Sequence, residues 1–395
     1  RGRDRGTPIS SPDMDLDNID EAALRARRGA KWANCPDDVL AAWVADMDFP
    51  IAAPIVRALM EMASASDVGY PSGTDARRLA GIFAARMKQR FDWAVDPARV
   101  EVLTDVVQGL HIAVSLFSEV GDGVITPTPI YPPFLEAVRS RVPVWQRLVL
   151  TPCGYRVDVE RLRADLTPNT RMLLVCNPHN PTGHVLGIDE LEALAAIALE
   201  RDLVVVSDEI HADLVYSGAR HVPMATLGTD IAARTITLTS ATKAFNIAGL
   251  RCAVAVFGSA LLQRRFHDVH PHALGGLGAP GLAATAAAWT DGQDWQDEVV
   301  RYLEGNRDIV TSHADIRWPQ VLHRAPEATY LAWLDCTALP MNPTPQRVLL
   351  ERARVWLSPG EDFGIGGEGF VRLNFATSRP LLRCILERMD QVLAG

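Results

Sequence analysis

Short apolar runs alternate with segments of helical length through the middle of this chain. Four runs are suited to buried strands, and helix-length stretches separate them. Alternation of this kind is typical of α/β proteins, in which helices cover a mostly parallel sheet. The four runs are 171–176, 203–207, 235–240 and 251–257.

The length and the N-terminal composition set further limits. A chain of 395 residues is too long for one simple hydrophobic core, so we expect a large domain and a smaller one. Residues 1–15 are charged and rich in Ser, Pro and Gly, which predicts a partly disordered arm.

The charge and hydropathy patterns argue against two classes of function. The net charge is −9, whereas nucleic-acid binding depends largely on Lys and Arg residues that neutralise phosphates. No apolar run approaches the roughly 20 residues that a membrane span requires, and the N-terminus carries no hydrophobic signal core. We therefore expect neither a nucleic-acid partner nor a membrane, and we expect a cytoplasmic protein.

The cysteines and histidines do not indicate a disulfide framework or a metal site. The six cysteines are scattered, without the paired spacing of zinc or redox sites, and we expect most to be reduced and buried. His267, His270 and His272 form a cluster, but no acidic or Cys partner occurs at a familiar spacing, so we expect no metal there.

One lysine lies among hydroxyl groups, and a second cation follows closely. Lys243 comes directly after Thr242 and three residues after Ser240, and Arg251 follows eight residues later. Pyridoxal phosphate needs a lysine amine that forms a Schiff base with its aldehyde, and its phosphate needs hydroxyl and cationic partners. On its own this spacing is a weak signal, because hydroxyls and cations also abound on solvated surfaces.

A loop rich in Asn and Pro, residues 177–183, follows the apolar run 172–176. Ligands of open α/β sheets bind at the carboxyl ends of strands, so the Asn180 amide could donate to a cofactor ring there. A turn built from Asn, Pro and Gly explains the same composition equally well.

An aspartate, Asp208, lies at the end of the next strand-like run. A partly buried carboxylate needs a cationic partner, and the N–H of a protonated pyridine ring is one. A helix N-cap is the alternative interpretation of the same residue.

Taken together, these residues resemble the fold-type I pyridoxal-phosphate enzymes of the class I/II aminotransferase family. The resemblance covers nearly the whole chain. It implies an α/β fold with a three-layer large domain, a mostly parallel sheet and a smaller α/β domain. It places the large cofactor-binding domain at residues 51–289 and assembles the small domain from both chain ends, residues 1–50, which include the N-terminal arm, and 290–395.

The same resemblance assigns roles around the cofactor ring. Lys243 forms the Schiff base, Asp208 pairs with the pyridine nitrogen, and Asn180 binds the phenolic oxygen, with His211 close to it. Arg372, in the run 372–375, clamps the α-carboxylate of the amino-acid substrate, because its planar fork matches a carboxylate.

The phosphate contacts implied by the family are Ser240, Thr242 and Arg251, together with the start of a helix near residue 107. That helix start lacks the Ser or Thr that many aminotransferases use. Backbone N–H groups at helix N-termini bind phosphates, so Val107, Gln108 and Gly109 are the expected contacts.

Five runs resemble the cystathionine β-lyase or C–S lyase branch of this family, which also includes a maltose-regulon modulator. By this resemblance Tyr131 stacks on the cofactor ring, and Tyr70 reaches the phosphate of the neighbouring subunit, which implies a homodimer with shared active sites. Asp46 and Tyr70 are further candidates for substrate contacts. The runs are 43–49, 68–71, 129–134, 208–214 and 366–375.

The activity implied is that of a pyridoxal 5'-phosphate-dependent C–S β-lyase. It would cleave L-cystathionine or a related cysteine S-conjugate to a thiol, pyruvate and ammonia. Lys243 would remove the Cα proton, while Tyr131 and Asp208 hold and polarise the ring. Two alternatives stay open: an aminotransferase, which would use the same residues, and a regulatory protein that keeps the fold but acts by binding a partner.

Overall fold

The computed structural model describes residues 15–152 and 154–394, and its strands form two main sheets. The strands are β1 (Leu40–Ala41), β2 (Val100–Leu103), β3 (Gly123–Thr128), β4 (Val142–Thr151), β5 (Gly154–Val157), β6 (Thr170–Cys176), β7 (Val204–Asp208), β8 (Thr235–Thr239), β9 (Ala253–Phe257), β10 (Leu322–His323), β11 (Leu331–Asp335), β12 (Val355–Trp356), β13 (Ser358–Pro359) and β14 (Phe370–Asn374). The larger sheet has the order β2-β9-β8-β7-β6-β3-β4-β5, and the smaller one the order β10-β11-β14-β13.

Most strands of the eight-stranded sheet share one direction. β4, β3, β6, β7 and β8 are joined by parallel pairs, and β2 has the same direction because both it and β8 are antiparallel to β9. β5 is antiparallel to β4, with which it forms a hairpin. The four predicted apolar runs are β6, β7, β8 and β9, and the expected mostly parallel sheet is confirmed.

Helices connect the strands and cover the sheet. They are α1 (Glu21–Arg25), α2 (Ala30–Ala33), α3 (Ala53–Ala65), α4 (Gly73–Phe91), α5 (Val106–Phe117), α6 (Pro132–Ala137), α7 (Val159–Asp165), α8 (Ile188–Glu200), α9 (Thr229–Ala232), α10 (Ala260–Phe266), α11 (Ala279–Asp291), α12 (Gln293–Arg317), α13 (Pro345–Val348) and α14 (Arg379–Leu393). Short 3-10 helices and one π-helix, Leu349–Ala353, complete the fold.

Alternate residues of β6 point into two different hydrophobic cores. Met172 and Leu174 belong to the core that contains α5, whereas Leu173 and Val175 belong to the core that contains α8. Since side chains alternate across a strand, both faces of the sheet are covered by helices. The large sheet is therefore the middle of three layers, as the predicted fold class requires.

The largest core joins the two ends of the chain. Leu24 and Trp32 from the N-terminal helices share it with residues of α14 such as Leu382 and Leu386. The four-stranded sheet, whose β11 and β14 are antiparallel, packs into the same core. The domain limits at residues 50 and 289 stay predictions.

Several expectations from composition concern single residues. Cys35, Cys176, Cys252 and Cys336 are buried and free, Cys384 is half-buried and free, and Cys153 lies outside the described residues. The predicted N-terminal arm also lies outside them, apart from Asp15. Within residues 15–152 and 154–394, no helix could cross a membrane, and no group of three or more His, Cys, Asp or Glu residues is placed to hold a metal.

Residues 43–49, which we call the central segment, lie between the two sheets without forming a strand or helix. Their backbone carbonyls instead accept hydrogen bonds from side chains elsewhere in the chain. Asn374 donates to Val44 O and Asp46 O at 2.6 and 2.7 Å, and Asn246 donates to Met47 O and Phe49 O at 3.0 and 2.9 Å. Two asparagine amides thus hold an irregular backbone in place. They supply hydrogen-bond donors to backbone carbonyls that have no partner in a strand or helix.

Replacement of Asn374 by alanine tests this arrangement. The side chain is 1 % exposed, and its Oδ1 also accepts from Ala376 N at 2.7 Å, so Asn374→Ala leaves buried backbone groups without partners. We expect the free energy of unfolding to fall by about 2–3 kcal/mol in urea denaturation. Asn169→Ala, at an exposed position, is the control and should change it little. An Asn374→Ala variant as stable as the wild type would contradict the role of this amide.

Candidate active site

Three neighbouring strands of the large sheet end at one edge and bring the predicted residues together. β6 leads into the loop 177–183, β7 ends at Asp208, and β8 ends three residues before the loop position of Thr242. Because these strands are parallel neighbours, their carboxyl ends meet at the same edge. The site predicted from the sequence is therefore one place in the structure.

Lys243 is partly buried, and its amine reaches the central segment. Its Nζ donates to Ala45 O at 2.8 Å. Burial lowers the pKa of the amine, and the Arg372 charge lowers it further, whereas the charges of Asp46 and Asp208 act in the opposite direction. Lowering the pKa favours the neutral amine, which is the form that attacks an aldehyde.

Asp208 is 7 % exposed, and no helix follows it, so the N-cap interpretation is wrong. One carboxylate oxygen, Oδ1, accepts from Ile210 N at 3.0 Å in a tight turn. Burial raises the pKa of this carboxyl from 3.8 to about 7, although that hydrogen bond and the Lys243 charge lower it. Among the described residues, the Lys243 charge offsets the effect of burial only in part. The position therefore suits a further cation beside the carboxylate.

His211 lies close to Asp208 and is 3 % exposed. Burial lowers the pKa of its imidazole to about 3, and the charges of Lys243 and Arg372 act in the same direction, so the ring is neutral. Its Nδ1 is buried and has no hydrogen-bond partner among the described residues. An unpaired buried nitrogen is costly unless a ligand satisfies it, so this atom also fits a site for a polar group.

Asn180 and Arg372 are in direct contact across the site. Arg372 Nη1 donates to Asn180 Oδ1 at 2.9 Å. A guanidinium only donates, so this contact fixes which end of the amide is the oxygen. The Asn180 NH2 group is thereby left to donate elsewhere, as a contact with a phenolic oxygen would require.

Arg372, on β14, is 4 % exposed, and burial lowers the pKa of its guanidinium to about 10. Its Nη2 donates to Trp43 O at 3.0 Å and to Ser358 Oγ at 3.1 Å. No carboxylate pairs with it, and its buried Nε has no partner among the described residues. A buried guanidinium with unused donors suits a carboxylate ligand.

The N-terminus of α5 forms the end of the site where the phosphate contacts were predicted. Asp105 caps the helix by accepting from Gln108 N at 2.7 Å, and the same carboxylate pairs with Arg251. Gly109 N is also used, since it donates to Asp105 O at 3.3 Å. Among the described residues, only Val107 of the three predicted backbone donors therefore lacks an acceptor.

Gln108 and Gly109 have structural uses that explain their presence. The Gln108 side chain joins Thr104 to the 3-10 helix at Leu274, with its Oε1 accepting at 2.8 Å and its Nε2 donating at 2.7 Å. A Cβ on Gly109 would lie 2.8 Å from Leu103 and 2.9 Å from Leu238, so glycine allows α5 to pack against the sheet.

The hydroxyl of Ser240 is already engaged in the described structure. Its Oγ lies 2.6 Å from Cys252 O, which can only accept, so Ser240 donates there. The same oxygen accepts from Thr242 N at 3.0 Å and lies 2.9 Å from Thr242 Oγ1. Ser240 could donate to a phosphate only after its hydroxyl rotates, whereas Arg251, with a side chain 67 % exposed, is free to reorient.

The remaining predicted residues divide into two groups. Tyr131 immediately precedes α6, is half-buried and packs against the core that contains α5. Burial raises the pKa of its hydroxyl, and the nearby charges of Arg372 and Asp208 also act on it. Asp46 is half-buried beside Lys243. Tyr70 is fully exposed on the protomer.

Sequence reasoning missed two residues of this site. Tyr330 donates to Ala45 O at 2.9 Å, so its hydroxyl and the Lys243 amine share one carbonyl oxygen. Ser358 Oγ lies against the Arg372 guanidinium and donates to Trp43 O at 2.8 Å. A buried tyrosine needs a partner for its hydroxyl, but the sequence does not reveal which partner.

Together these groups define a class of site. A buried amine, a carboxylate with a raised pKa, an unpaired imidazole nitrogen and a helix N-terminus beside an arginine fit a small cofactor with four matching parts. Those parts are an electrophilic carbonyl, a protonated ring nitrogen, a polar ring oxygen and an anionic end.

Comparison with known proteins identifies the family. The chain belongs to the family described as aminotransferase class I and II, whose model matches residues 57–389. It is 35 % identical to the Bacillus subtilis protein named cystathionine beta-lyase PatB, covering 90 % of this chain and 93 % of that protein. The predicted family and fold are confirmed.

Two solved structures are similar over almost the full length. The structure of OvoB has a TM-score of 0.91 and 37 % identity, covering 96 % of this chain and 99 % of that one. The pyridoxal-phosphate-bound C–S lyase of Staphylococcus hominis has a TM-score of 0.89 and 28 % identity, covering 96 % and 98 %.

The raised pKa of Asp208 predicts how stability changes with pH in protein prepared without cofactor. Because the folded-state pKa of about 7 lies above the ordinary 3.8, the protonated carboxyl stabilises the fold below about pH 4, and this contribution is lost as the pH rises through 7. Relative to Asp208→Asn, the wild type should lose up to about 4 kcal/mol of unfolding free energy between about pH 4 and pH 8. Urea denaturation at a series of pH values measures the difference, and a constant difference would show that the carboxyl is ionised throughout.

Proposed function

We propose that this protein is a pyridoxal 5'-phosphate-dependent C–S β-lyase acting on cysteine S-conjugates such as L-cystathionine. The observation that carries the proposal is the partly buried Lys243 amine, which lies in one site with the Asp208 carboxylate and the unpaired Arg372 guanidinium. The lyase reaction is favoured by the names of the relatives, which are a cystathionine beta-lyase and a C–S lyase.

In the proposed enzyme, the described residues would offer a partner to each part of the cofactor. Lys243 Nζ would bind its aldehyde, and the Asp208 carboxylate would bind its ring nitrogen. The Asn180 amide and His211 would contact its ring oxygen, and Tyr131 would contact the ring. Arg251, the α5 N-terminus, Thr242 and a rotated Ser240 hydroxyl would hold its phosphate.

Burial gives the Asp208 carboxyl a specific task. Alone, the carboxyl binds a proton readily because burial disfavours its charge. A cationic ring nitrogen lets it ionise, and the ionised carboxylate in turn keeps that nitrogen protonated. When bound, pyridoxal phosphate supplies an electron sink for negative charge at the substrate Cα, and Asp208 keeps that sink effective.

Arg372 orients the amino acid. Its free donors bind the α-carboxylate, while its contacts with Trp43 O, Ser358 and Asn180 keep the guanidinium plane fixed. Asp46, whose charge acts on Lys243, would contact the substrate amino group. Substrate binding thus neutralises a buried arginine that no carboxylate of the described chain neutralises.

Lys243 then moves protons. Its Nζ would hold the cofactor, and as a free neutral amine it would accept the Cα proton of the substrate. Burial supports this step, because it lowers the pKa of the amine. The Cβ–S bond breaks with its electrons on sulfur, so cystathionine and one water give homocysteine, pyruvate and ammonia.

An aminotransferase would use the same residues and differ in where Lys243 delivers its proton. A C–S lyase needs no 2-oxo acid, whereas transamination stops after half a cycle unless one is supplied. The two reactions are therefore separated by stoichiometry rather than by residue identity.

A turnover assay tests the proposal. The wild type, loaded with cofactor and given L-cystathionine without a 2-oxo acid, should release thiol and pyruvate in equal amounts over many turnovers. Lys243→Ala should lose at least about a thousandfold in kcat, because the base and the cofactor anchor are both removed. Thiol and pyruvate are measured together, with Lys88→Ala, an exposed lysine, as the control.

The small number of lysines makes the attachment point easy to assign. The chain has only Lys31, Lys88 and Lys243, and Lys31 is buried in an ion pair with Asp48 at 2.9 Å. Borohydride reduction followed by peptide mass analysis should place the cofactor on Lys243 alone. Accumulation of pyridoxamine phosphate without thiol release would instead establish an aminotransferase.

We also propose a homodimer in which Tyr70 completes the partner's site. Tyr70 is fully exposed, and Val56, Met60 and Val68 nearby in sequence are exposed apolar residues. An aromatic and apolar surface of this kind suits a protein interface. The absence of nucleic-acid partners and a cytoplasmic location stay predictions from the sequence.

Mixing two inactive variants tests the shared site. Tyr70→Ala and Lys243→Ala should each be inactive, but a mixed dimer contains one site with both residues intact. After dissociation and reassociation, the mixture should recover about a quarter of wild-type activity, since half of the dimers are mixed and each has one intact site. No recovery, although sedimentation shows mixed dimers, would mean that Tyr70 acts within its own subunit.

A further inference from the structure

A buried histidine ends the loop that carries Asn180. His184 is 7 % exposed, and both of its ring nitrogens face carboxylates: Nε2 lies 3.0 Å from Glu190 Oε2, and Nδ1 lies 3.0 Å from Glu327 Oε2. An ionised carboxylate only accepts hydrogen bonds, so both nitrogens must donate and the ring is an imidazolium. Its charge thus joins two acidic residues from different parts of the chain.

The charged groups around His184 come from three parts of the chain. Glu190 is on α8 and also binds Arg156 of β5 at 3.0 Å, while the exposed Asp189 lies 3.6 Å from the same arginine. Glu327 accepts from Val185 N at 2.8 Å and precedes β11. Burial opposes the charge of His184, but its hydrogen bonds to the two carboxylates raise its pKa to about 9. Arg324 and Tyr155 line the same cavity as His184. His179, on the same loop, is kept neutral by burial, which lowers its pKa to about 3.

The loop is closed at its base next to His184. His179 N donates to His184 O at 2.8 Å, and Gly183 N donates to His179 O at 2.8 Å. Asn180 lies between these two bonds and contacts Arg372. The position of the Asn180 amide therefore depends on how the base of the loop is fixed.

The segment that leads into β11 fixes that base. Glu327 N and Ala328 N both donate to Gly183 O, at 2.9 and 3.0 Å, shortly before β11 begins at Leu331. β11 pairs with β14, where Trp333 lies opposite Arg372. The loop is thus held twice, by the segment before β11 at its base and by Arg372 of β14 near its tip.

We propose that His184 is a positioning residue of the active site: by joining Glu327 to Glu190, it holds the loop so that Asn180 and Arg372 keep their mutual contact. This inference rests on the proposed function, because it acts on the contacts of Asn180 with the cofactor and of Arg372 with the substrate carboxylate. Removing the imidazolium leaves two carboxylates facing each other, and their repulsion separates the loop from the sheet.

His184→Gln is the first test, read by absorbance rather than by activity alone. In the cofactor-loaded protein, the pH midpoint of the visible absorbance reports the proton held between Lys243 Nζ and the ring oxygen. The Asn180 amide stabilises the deprotonated oxygen, so displacing it should raise the midpoint, by about 0.5–1 pH unit. The KM for the amino acid should rise several-fold with a smaller change in kcat, because Arg372 also moves.

A double variant tests the route of the effect. If His184 acts through Asn180, then His184→Gln should shift the absorbance midpoint in the wild type but not in an Asn180→Ala background. Equal shifts in both backgrounds would overturn the proposal.

Glu327 gives a second approach if His184→Gln folds poorly. Its side chain is 47 % exposed, so its variants are expected to fold. Glu327→Ala should reproduce the shift, whereas Glu327→Gln keeps an acceptor oxygen for His184 and Val185 and should restore most of the wild-type midpoint. Identical behaviour of the two variants would contradict positioning through this contact.

A matched control separates positioning from stability. His313 lies 2.8 Å from Asp390 in a half-buried pair between α12 and α14. His313→Gln should lower the melting temperature but leave the midpoint and the KM unchanged. If His184→Gln behaves in the same way, His184 is only structural. If the wild type itself takes up no cofactor, the proposed function fails instead, so the two failures are distinct.

Discussion

Seven successive carbonyl oxygens, from Trp43 to Phe49, accept hydrogen bonds from side chains, and the active site depends on these hydrogen bonds. The donors come from both ends of the chain and from the segment after β8; they are Arg27, Lys31, Lys243, Asn246, Tyr330, Ser358, Arg372 and Asn374. An irregular buried backbone is tolerated only when its polar groups are satisfied. Because Lys243 and Arg372 are among the donors, one segment sets the positions of the proposed cofactor lysine and the proposed carboxylate-binding arginine together.

The buried charged groups of the site lack some of the oppositely charged partners that would stabilise them, and ligands can supply these partners. Burial disfavours the charged forms of Asp208, Lys243 and Arg372 alike, and the site contains no full set of counter-charges for them. In the proposed function, a protonated ring nitrogen would supply the opposite charge at Asp208 and a substrate carboxylate would supply it at Arg372. Such a site lowers the stability of the folded chain in exchange for affinity, which is expected where function competes with folding.

Sequence patterns predicted the strands and the residue types of the site, but not how the hydrogen bonds are shared. Residues 172–176 are apolar throughout because both faces of β6 are buried, so the strand can be predicted from its composition. The Ser240 hydroxyl donates to Cys252 O, and Gln108 N donates to the Asp105 carboxylate. The sequence does not reveal these hydrogen bonds, because folding determines which partners come close. Tyr330 was missed for the same reason, since its partner is a backbone carbonyl 285 residues away in sequence.

The proposed phosphate end would give Arg251 two tasks. The Asp105 carboxylate caps α5 at the place where an anion would also bind, and a phosphate beside an unpaired carboxylate would be repelled. Arg251 pairs with Asp105, while most of its side chain remains exposed, so its other donors are available to a phosphate. In the proposed site the arginine would both neutralise the aspartate that caps the helix and attract the phosphate. A single cation at this position would let the helix N-terminus keep its aspartate cap and still serve as an anion site.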